Sequence, residues 1–554
     1  MNGGDFLLNQ KRPGAWRGWL LCLLALPLAS CTGMRGGKSV IVPTWGRFEE
    51  TFHSTVPYTN ALQQATLTVL FISPFGDTNR VDGFWDGGDT WRVRFSPGVP
   101  GRWYYETVCS DSANNGLQDQ AGDFLCSGAV GMTRFQRHGP VRVARDHRHF
   151  EHADGTPFFW LADCTWIGAL QSESRNWESY AAARAGQGFS AIQWSAAPGR
   201  DRQGRTAYTG KERIAVDPVF FRRLDAKVEQ LNAAGLLSVI CPLGTTEPAA
   251  ADALPAGQME LLLRYMAARW GANDVAWLLT FDGENAPEGQ AQWLTAGREV
   301  FGADAHAPVI VFGGVGSWSL DPFRREPWVD ILGYGTGQVL DEEALQRLVT
   351  GASEQWAREP ARPLINVAPP FENGINLRTG KRIESDTVRR VIWQGLMQAP
   401  SAGATYGEQD VAYWDTDTDT ASGGGSGPRV PRWQSALVMP GAKEMALAAN
   451  IMTSVAFWRL LPSPQSLVAP PPGSPPLSRL AAVSTESKSL GLIYVPGERS
   501  FDLSLNALPP APTINWMNLK TGATSPAVAV VAEDRCQFPV PEPGDWLLII
   551  TAGK

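Results

Sequence analysis

Six carboxylates fall at or just past the ends of short apolar runs. They are Asp163 after Phe158–Leu161, Glu247 after Leu237–Pro242, Asp282 and Glu284 after Val275–Phe281, Glu372 after Pro363–Val367, and Glu408 after Gly403–Gly407. Trp166, Gln193, Trp194, Tyr334, Gln338, Tyr406 and Trp414 occupy the same kind of position. Such a set can do chemistry. One carboxylic acid can protonate a leaving oxygen, a second carboxylate can attack or activate water, and aromatic faces can hold the C–H surfaces of sugar rings. These are the requirements of glycosidic bond hydrolysis, with a carbohydrate as substrate and no cofactor. Polar residues also end most strands, so position alone assigns no role to any one of them.

The elements that must position these residues alternate regularly. Eight apolar runs suit buried strands: Phe158–Leu161, Ser190–Trp194, Leu237–Pro242, Val275–Phe281, Pro308–Phe312, Asp330–Gly333, Pro363–Val367 and Gly403–Gly407. Amphipathic stretches separate them, among them Pro218–Ala234, Gln258–Arg269, Asp341–Ala357 and Ser385–Gln398, with Asp217 and Ser385 as cap residues. A further helix is expected around Trp433–Val455. Strict β/α alternation with eight strands predicts a (β/α)8 TIM barrel, whose reacting groups sit at the C-terminal ends of the strands. No glycine-rich nucleotide fingerprint opens the first βα turn, which weighs against a doubly wound dinucleotide fold.

The flanks read differently. Alternation in Ala65–Phe71, Trp91–Phe95 and Arg102–Val108, with Gly/Pro turns between, predicts a small N-terminal β-sandwich. A proline-rich tract, Ala469 to Pro476, reads as a spacer before a second small β-domain. The expected division is a signal peptide and lipidated Cys at 1–31 and a tether at 32–43. A β-sandwich at 44–137, the barrel at 138–465, a linker at 466–477 and a C-terminal β-domain at 478–554 follow. The fold class is therefore multidomain, α/β plus all-β.

Composition narrows the partners. A net charge of −7 from 55 acids and 48 bases, with no basic stripe, excludes nucleic acid as the expected ligand. Most of the 22 Trp residues are expected to pack the cores of large β-domains and barrels, and the indoles at strand ends are candidate sugar platforms. Basic Lys11, Arg12 and Arg17 precede an apolar run too short to span a bilayer. That run ends in Leu28-Ala29-Ser30-Cys31, which resembles the bacterial lipoprotein processing box. The resemblance implies lipidation at Cys31, membrane attachment through that lipid, and export, with Thr32 rather than Asp favouring the outer membrane or cell surface of a Gram-negative cell. Cys109 and Cys126 flank one polar loop and are the expected disulfide for an oxidising compartment. No His/Cys spacing suits zinc, and the alternating Asp415, Asp417 and Asp419 lack the remainder of a calcium loop, so no metal is expected.

Several segments carry a family resemblance. Phe158-Phe159-Trp160-Leu161-Ala162-Asp163-Cys164-Thr165-Trp166 resembles the first-strand signature of the apiosidase-like glycoside hydrolases, TIM-barrel proteins acting on plant cell-wall and related polysaccharides. Gly188–Gln193, Asp217–Leu236, Asp330–Tyr334 with Gly337, and Gly403–Gly407 are similar to further motifs of that family, in the same order. Val81–Gly87 with Trp91–Phe95 resembles the β-sandwich fused before such barrels, and the C-terminal region resembles the small β-domain that follows them. The resemblance implies that Asp282, after Trp277–Phe281, is the general acid/base, with Glu284 as a rival. At strand 7 the family tends to read Glu-Pro-x-Tyr-Glu, where this chain reads Ala368-Pro369-Pro370-Phe371-Glu372. The first Glu is thus an alanine, which leaves Glu372 as the strand 7 carboxylate and Glu247 or Glu408 as substitutes. Trp166, Trp194, Tyr334, Tyr406 and Trp414 are the candidate platforms, and Asp163 a candidate hydroxyl contact on the pocket floor. The implied activity is glycoside hydrolysis; the alternative is glycan binding without cleavage on a degenerate barrel.

Overall fold

The computed structural model describes residues 40–197, 199–244, 254–280, 287–302, 307–318, 320–418, 430–467, 475–497, 501–532 and 535–553. Cys31, Glu247, Asp282, Glu284 and Asp419 lie outside the described residues.

The N-terminal strands are β1 (Ile41–Pro43), β2 (Phe48–His53), β3 (Leu67–Ile72), β4 (Thr78–Asp82), β5 (Phe84–Gly87), β6 (Thr90–Phe95), β7 (Gly101–Cys109) and β8 (Ala121–Ser127). They form two sheets, ordered β1-β8-β7-β3-β4 and β2-β6-β5, around an aromatic core that includes Phe48, Phe71, Trp91, Trp103 and Phe124. Alternation along β6 explains the layering. Trp91, Val93 and Phe95 enter this core, while Arg92 and Arg94 face the other way.

The expected disulfide is not formed. Cys109 and Cys126 are buried free thiols. Register forbids the bond: Cys126 lies opposite Gly101, at the far end of β7 from Cys109. At about 3.3 Å per residue the two are some 25 Å apart, against about 6 Å between the Cα atoms of a disulfide. Two cysteines that flank one polar loop are neighbours only if they stand opposite each other, and here they sit at opposite ends of the hairpin.

A three-stranded sheet, β9 (Val141–Val143), β10 (Phe150–His152) and β11 (Pro157–Phe158), leads into the barrel. The barrel strands are β12 (Trp160–Cys164), β13 (Ala191–Ser195), then, after a two-stranded hairpin of β14 (Tyr208–Thr209) and β15 (Ala215–Val216), β16 (Leu237–Cys241), β17 (Val275–Thr280), β18 (Val309–Phe312), β19 (Ile331–Gly335), β20 (Leu364–Ala368) and β21 (Gly403–Gly407). All eight barrel strands are parallel, in the order β20-β19-β18-β17-β16-β13-β12-β21. Glu372 and Glu408 bridge β20 to β21 just past their ends. The TIM barrel and both flanking β-regions are as the sequence predicts.

Side-chain alternation sorts the strands into two layers. Trp160, Ala162, Ala191, Val239, Leu278, Ile310, Ile365 and Val367 fill the barrel interior. Leu161, Ile192, Trp194, Ile240, Trp277, Leu332, Tyr334 and Tyr406 face outward against the helices. Asp217 caps the helix Pro218–Ala233 through the Val219 and Phe220 amides, with Pro218 in its first turn. Ser385 does not cap; it is the first residue of Ser385–Gln398, and Glu384 holds the cap position without a side-chain bond. The helix expected at Trp433–Val455 is two helices, Arg432–Ala436 and Pro440–Ser454, because Pro440 starts the second.

The C-terminal region forms antiparallel sheets of six and three strands. Its six-stranded sheet begins with Leu460–Pro462, which pairs with Ala481–Thr485, so the sheet starts before the proline-rich tract.

Candidate active site

The C-terminal ends of the barrel strands bring Cys164, Gln193, Ser195, Cys241, Thr280, Phe312 and Ala368 to one end of the barrel interior. Thr280 donates to the Leu243 carbonyl, and the Cys241 thiol, 3.9 Å from its hydroxyl, is pushed by burial to about 12. Gln193 is fully buried on the inner face of β13 and donates to the Val367 carbonyl at 2.8 Å across the barrel. Its Oε1 is buried without a partner, so a neutral acceptor is left free near the mouth. Ser195 shares this face because it lies two residues on, a period-2 signal that the sequence carries. Phe371, Ala412, Cys164 and the partly buried Trp166 form an apolar group beside strands 1, 7 and 8.

The strand 7 position is decided by a bulge. Pairing of β19 with β20 shifts between Tyr334 and Gly335, so Asn366 pairs with Tyr334 and Ala368 with Gly335. Val367 and Ala368 consequently both contact the interior, and the wall at this point is a methyl group.

Glu372 does not share that wall. It is 2% exposed and accepts from the Tyr406 hydroxyl at 2.5 Å and from the Gly441 amide at 3.0 Å. Tyr406 faces outward, and Gly441 lies in the first turn of Pro440–Ser454, so the carboxylate is sequestered between the barrel and a helix N-terminus. A Cβ at Gly441 would lie 2.4 Å from Glu372 Oε2, so only glycine admits the carboxylate. Burial raises the Glu372 pKa; the Tyr406 and Gly441 hydrogen bonds oppose it.

Glu408 is also buried. Its Oε2 accepts from the Asp410 and Val411 amides at 2.8 and 3.0 Å, capping Gln409–Ala412. Burial pushes its carboxyl up to about 7, against the hydrogen bonds from Val411, Asn373 and Asp410.

Asp163 is on the outer face and fully buried. It accepts from Tyr180 at 2.7 Å and Arg184 at 2.6 Å, both on the helix Ser174–Gly186. Trp194 donates to Ser238 Oγ and lies edge-on to Trp270. Tyr334 stacks on Trp318 with centroids 4.9 Å apart. Trp414 is inverted by a positive φ of 50° and stacks on Trp433 at 4.3 Å, while its neighbour Tyr413 is 48% exposed beside Phe371. Gln338 accepts from the Phe371 amide and supports the strand 7 loop. Asp415 pairs with Arg432 and caps its own turn at Asp417. Of the expected carbohydrate contacts, then, Trp166 and Gln193 are at the mouth, whereas Asp163, Trp194, Tyr334, Tyr406 and Trp414 face the helices or the surrounding core. Tyr413 is the exposed aromatic that the sequence reading passed over for its neighbour.

The chain is similar to known proteins in two regions. A family model described as apiosidase-like, catalytic domain, matches residues 144–459, and a domain of unknown function, DUF5060, matches residues 41–110. No curated protein matches it. Among solved structures, a protein from Bacteroides vulgatus described as a glycoside hydrolase is 17% identical with a TM-score of 0.67, over 92% of this chain and 99% of that one. A glycoside hydrolase family 5 protein from the same organism is 16% identical with a TM-score of 0.65, over 76% of this chain and 95% of that one. A third, described only as a glycoside hydrolase, is 18% identical with a TM-score of 0.65, over 76% of this chain and 99% of that one. At these identities the likeness establishes the fold.

Proposed function

The chain belongs to the apiosidase-like family, and from that premise we propose that its barrel hydrolyses glycosidic bonds in a cell-wall or related polysaccharide. The observation that carries this reading is the family match across all eight barrel strands, with Asp282 two residues beyond the end of β17. Asp282 protonates the glycosidic oxygen as the bond breaks. A second carboxylate attacks the anomeric carbon or takes a proton from the attacking water. Strand 7 does not supply that group, since Ala368 lines the interior and Glu372 is bound to Tyr406 and Gly441. Glu247, on the segment after β16, takes the second role, and Glu284, after β17, is the rival to Asp282 for the first. Gln193 supplies an acceptor for a sugar hydroxyl, and Trp166 with Tyr413 supplies apolar ring faces. Cys31 would anchor the exported chain to the outer membrane through lipid; incorporation of labelled palmitate that survives Cys31→Ala would refute the anchor.

A second reading is favoured by the same strand 7 geometry. With a methyl group on that wall, the barrel would bind glycan without cutting it. Reducing-end release from a panel of plant and bacterial polysaccharides separates the two. Hydrolysis predicts product that Asp282→Asn abolishes while glycan binding persists. Binding without product across the panel favours the second reading, and undiminished turnover in Asp282→Asn removes that residue from the mechanism.

A further inference from the structure

A cleft runs between the N-terminal sandwich and the outside of the barrel. Two adjoining cavities make it, of about 660 and about 240 Å³, and they share Arg80, Asp82 and Arg264. The larger is lined by Gly271 and Ala272 before β17 and Ala307 before β18, so it opens toward the N-terminal ends of these strands, away from the mouth. The smaller lies at the open edge of the sandwich. There Trp85 and Trp91 are direct cross-strand partners on β5 and β6, and so share one face of their sheet.

Three observations point to a ligand. Trp91 is 3% exposed, lines the cavity, and its indole N–H has no hydrogen-bond partner. A buried donor left unpaired is costly, and an acceptor arriving from outside would relieve it. Arg80 is exposed over the cleft, bonds only to Thr68 Oγ1, and makes no ion pair among the described residues. Asp82, held near Arg264 at 3.3 Å, adds acceptor oxygens. An indole wall fringed by donors and acceptors is suited to a sugar ring, which has flat C–H faces and hydroxyls around its edge. A wholly apolar ligand would instead strip water from Arg80, Asp82 and Arg264 without replacing it.

We propose that this cleft is a second carbohydrate site, in which an oligosaccharide strand lies against the partly exposed Trp85 and contacts the Trp91 N–H, Arg80 and Asp82 through its hydroxyls. It would hold polysaccharide to the chain while the barrel mouth acts elsewhere on it. The proposal rests on carbohydrate being the substrate class, but not on cleavage.

Affinity electrophoresis in gels containing polygalacturonate, arabinoxylan or a bacterial exopolysaccharide tests it, using the full chain with Trp91→Phe, Arg80→Ala and, separately, Asp282→Asn. Trp91→Phe removes the N–H but keeps an aromatic ring, so the variant should stay folded at the temperature of the gel, with a thermal midpoint lowered by the volume lost from the sandwich core. Retention should nonetheless weaken by about fivefold in each cleft variant, the size expected for one lost hydrogen bond. Asp282→Asn should be retained like the unsubstituted chain. Cleft variants that migrate like the unsubstituted chain in every gel overturn the proposal, and if that chain still cuts a polysaccharide the barrel reading stands. A chain that cuts nothing, yet loses retention on Trp91→Phe, supports the cleft after the barrel reading has failed.

Discussion

Two buried glutamates sit where a barrel enzyme keeps its reacting groups, and both are occupied with holding the backbone. Glu372 accepts from Tyr406 and from the first turn of Pro440–Ser454; Glu408 caps Gln409–Ala412. For Glu408 this has a measurable consequence. Burial raises its carboxyl from the ordinary 4.5 to about 7. Between those values the native chain holds a proton that the unfolded chain has released. The associated stability is therefore complete below about pH 4.5 and is lost as the pH rises through 7, with a ceiling of about 3 kcal/mol. Glu408→Gln keeps a carbonyl oxygen for the Asp410 and Val411 amides but cannot titrate. Denaturant midpoints between pH 5 and 7 should fall less steeply in the variant than in the parent chain. Parallel pH profiles for the two would assign the titration to another group.

At the scale of elements, the period of the sequence was informative and its faces were not. Eight apolar runs predict eight strands, and seven are found within a residue or two while the first runs three residues past Leu161 to Cys164, because a parallel strand covered on both sides must be apolar throughout. That same burial hides which way each side chain points. Tyr334, Trp194 and Tyr406 stand at strand ends as expected, yet face the helices, and only the pairing register and the bulge beside Gly335 decide this. The Cys109–Cys126 expectation failed for the same reason, since hairpin register cannot be read from a polar loop alone. Helix starts were legible where a side chain and a proline agreed, as at Asp217-Pro218, and not at Ser385, where Glu384 takes the cap position. Asp217 is thus a direct test of cap energetics. Its Oδ1 accepts from Val219 at 2.9 Å and its Oδ2 from Arg205, so Asp217→Ala should cost about 1 kcal/mol in urea unfolding. Asp217→Asn should recover most of it, and equal losses in both variants would place the effect in the Arg205 pair instead.

Across the whole molecule, the barrel is bolted to both flanking β-regions by buried Arg–carboxylate networks. On the N-terminal side, Arg94 of β6 donates to Asp225 on Pro218–Ala233, and Arg269 on Ala256–Trp270 donates to both Asp225 and Asp86 of β5. On the C-terminal side, Arg389 on Ser385–Gln398 donates to Asp545 at 2.7 Å and to Glu444 at 2.8 Å, and Arg390 pairs with the same Asp545. Charges this deeply buried gain little net stability over an apolar contact, but breaking one leaves its partner charged and unsolvated. Asp545 is 4% exposed and faces two guanidinium groups, so Asp545→Asn takes the carboxylate from Arg390 and leaves Arg389 with Glu444 and Asp386 alone. The expected cost is about 1.5–3 kcal/mol, the range for a hydrogen bond to a charged group, and it falls on the contact between the C-terminal sheets and the barrel. Scanning calorimetry should then show one cooperative transition for the parent chain and an added, earlier one for Asp545→Asn. The exposed Arg347–Glu343 pair supplies the control, since Arg347→Ala removes an ion pair already screened by water and should leave the trace nearly unchanged. A single transition in Asp545→Asn, displaced no further than in Arg347→Ala, would mean that apolar packing alone joins the C-terminal sheets to the barrel.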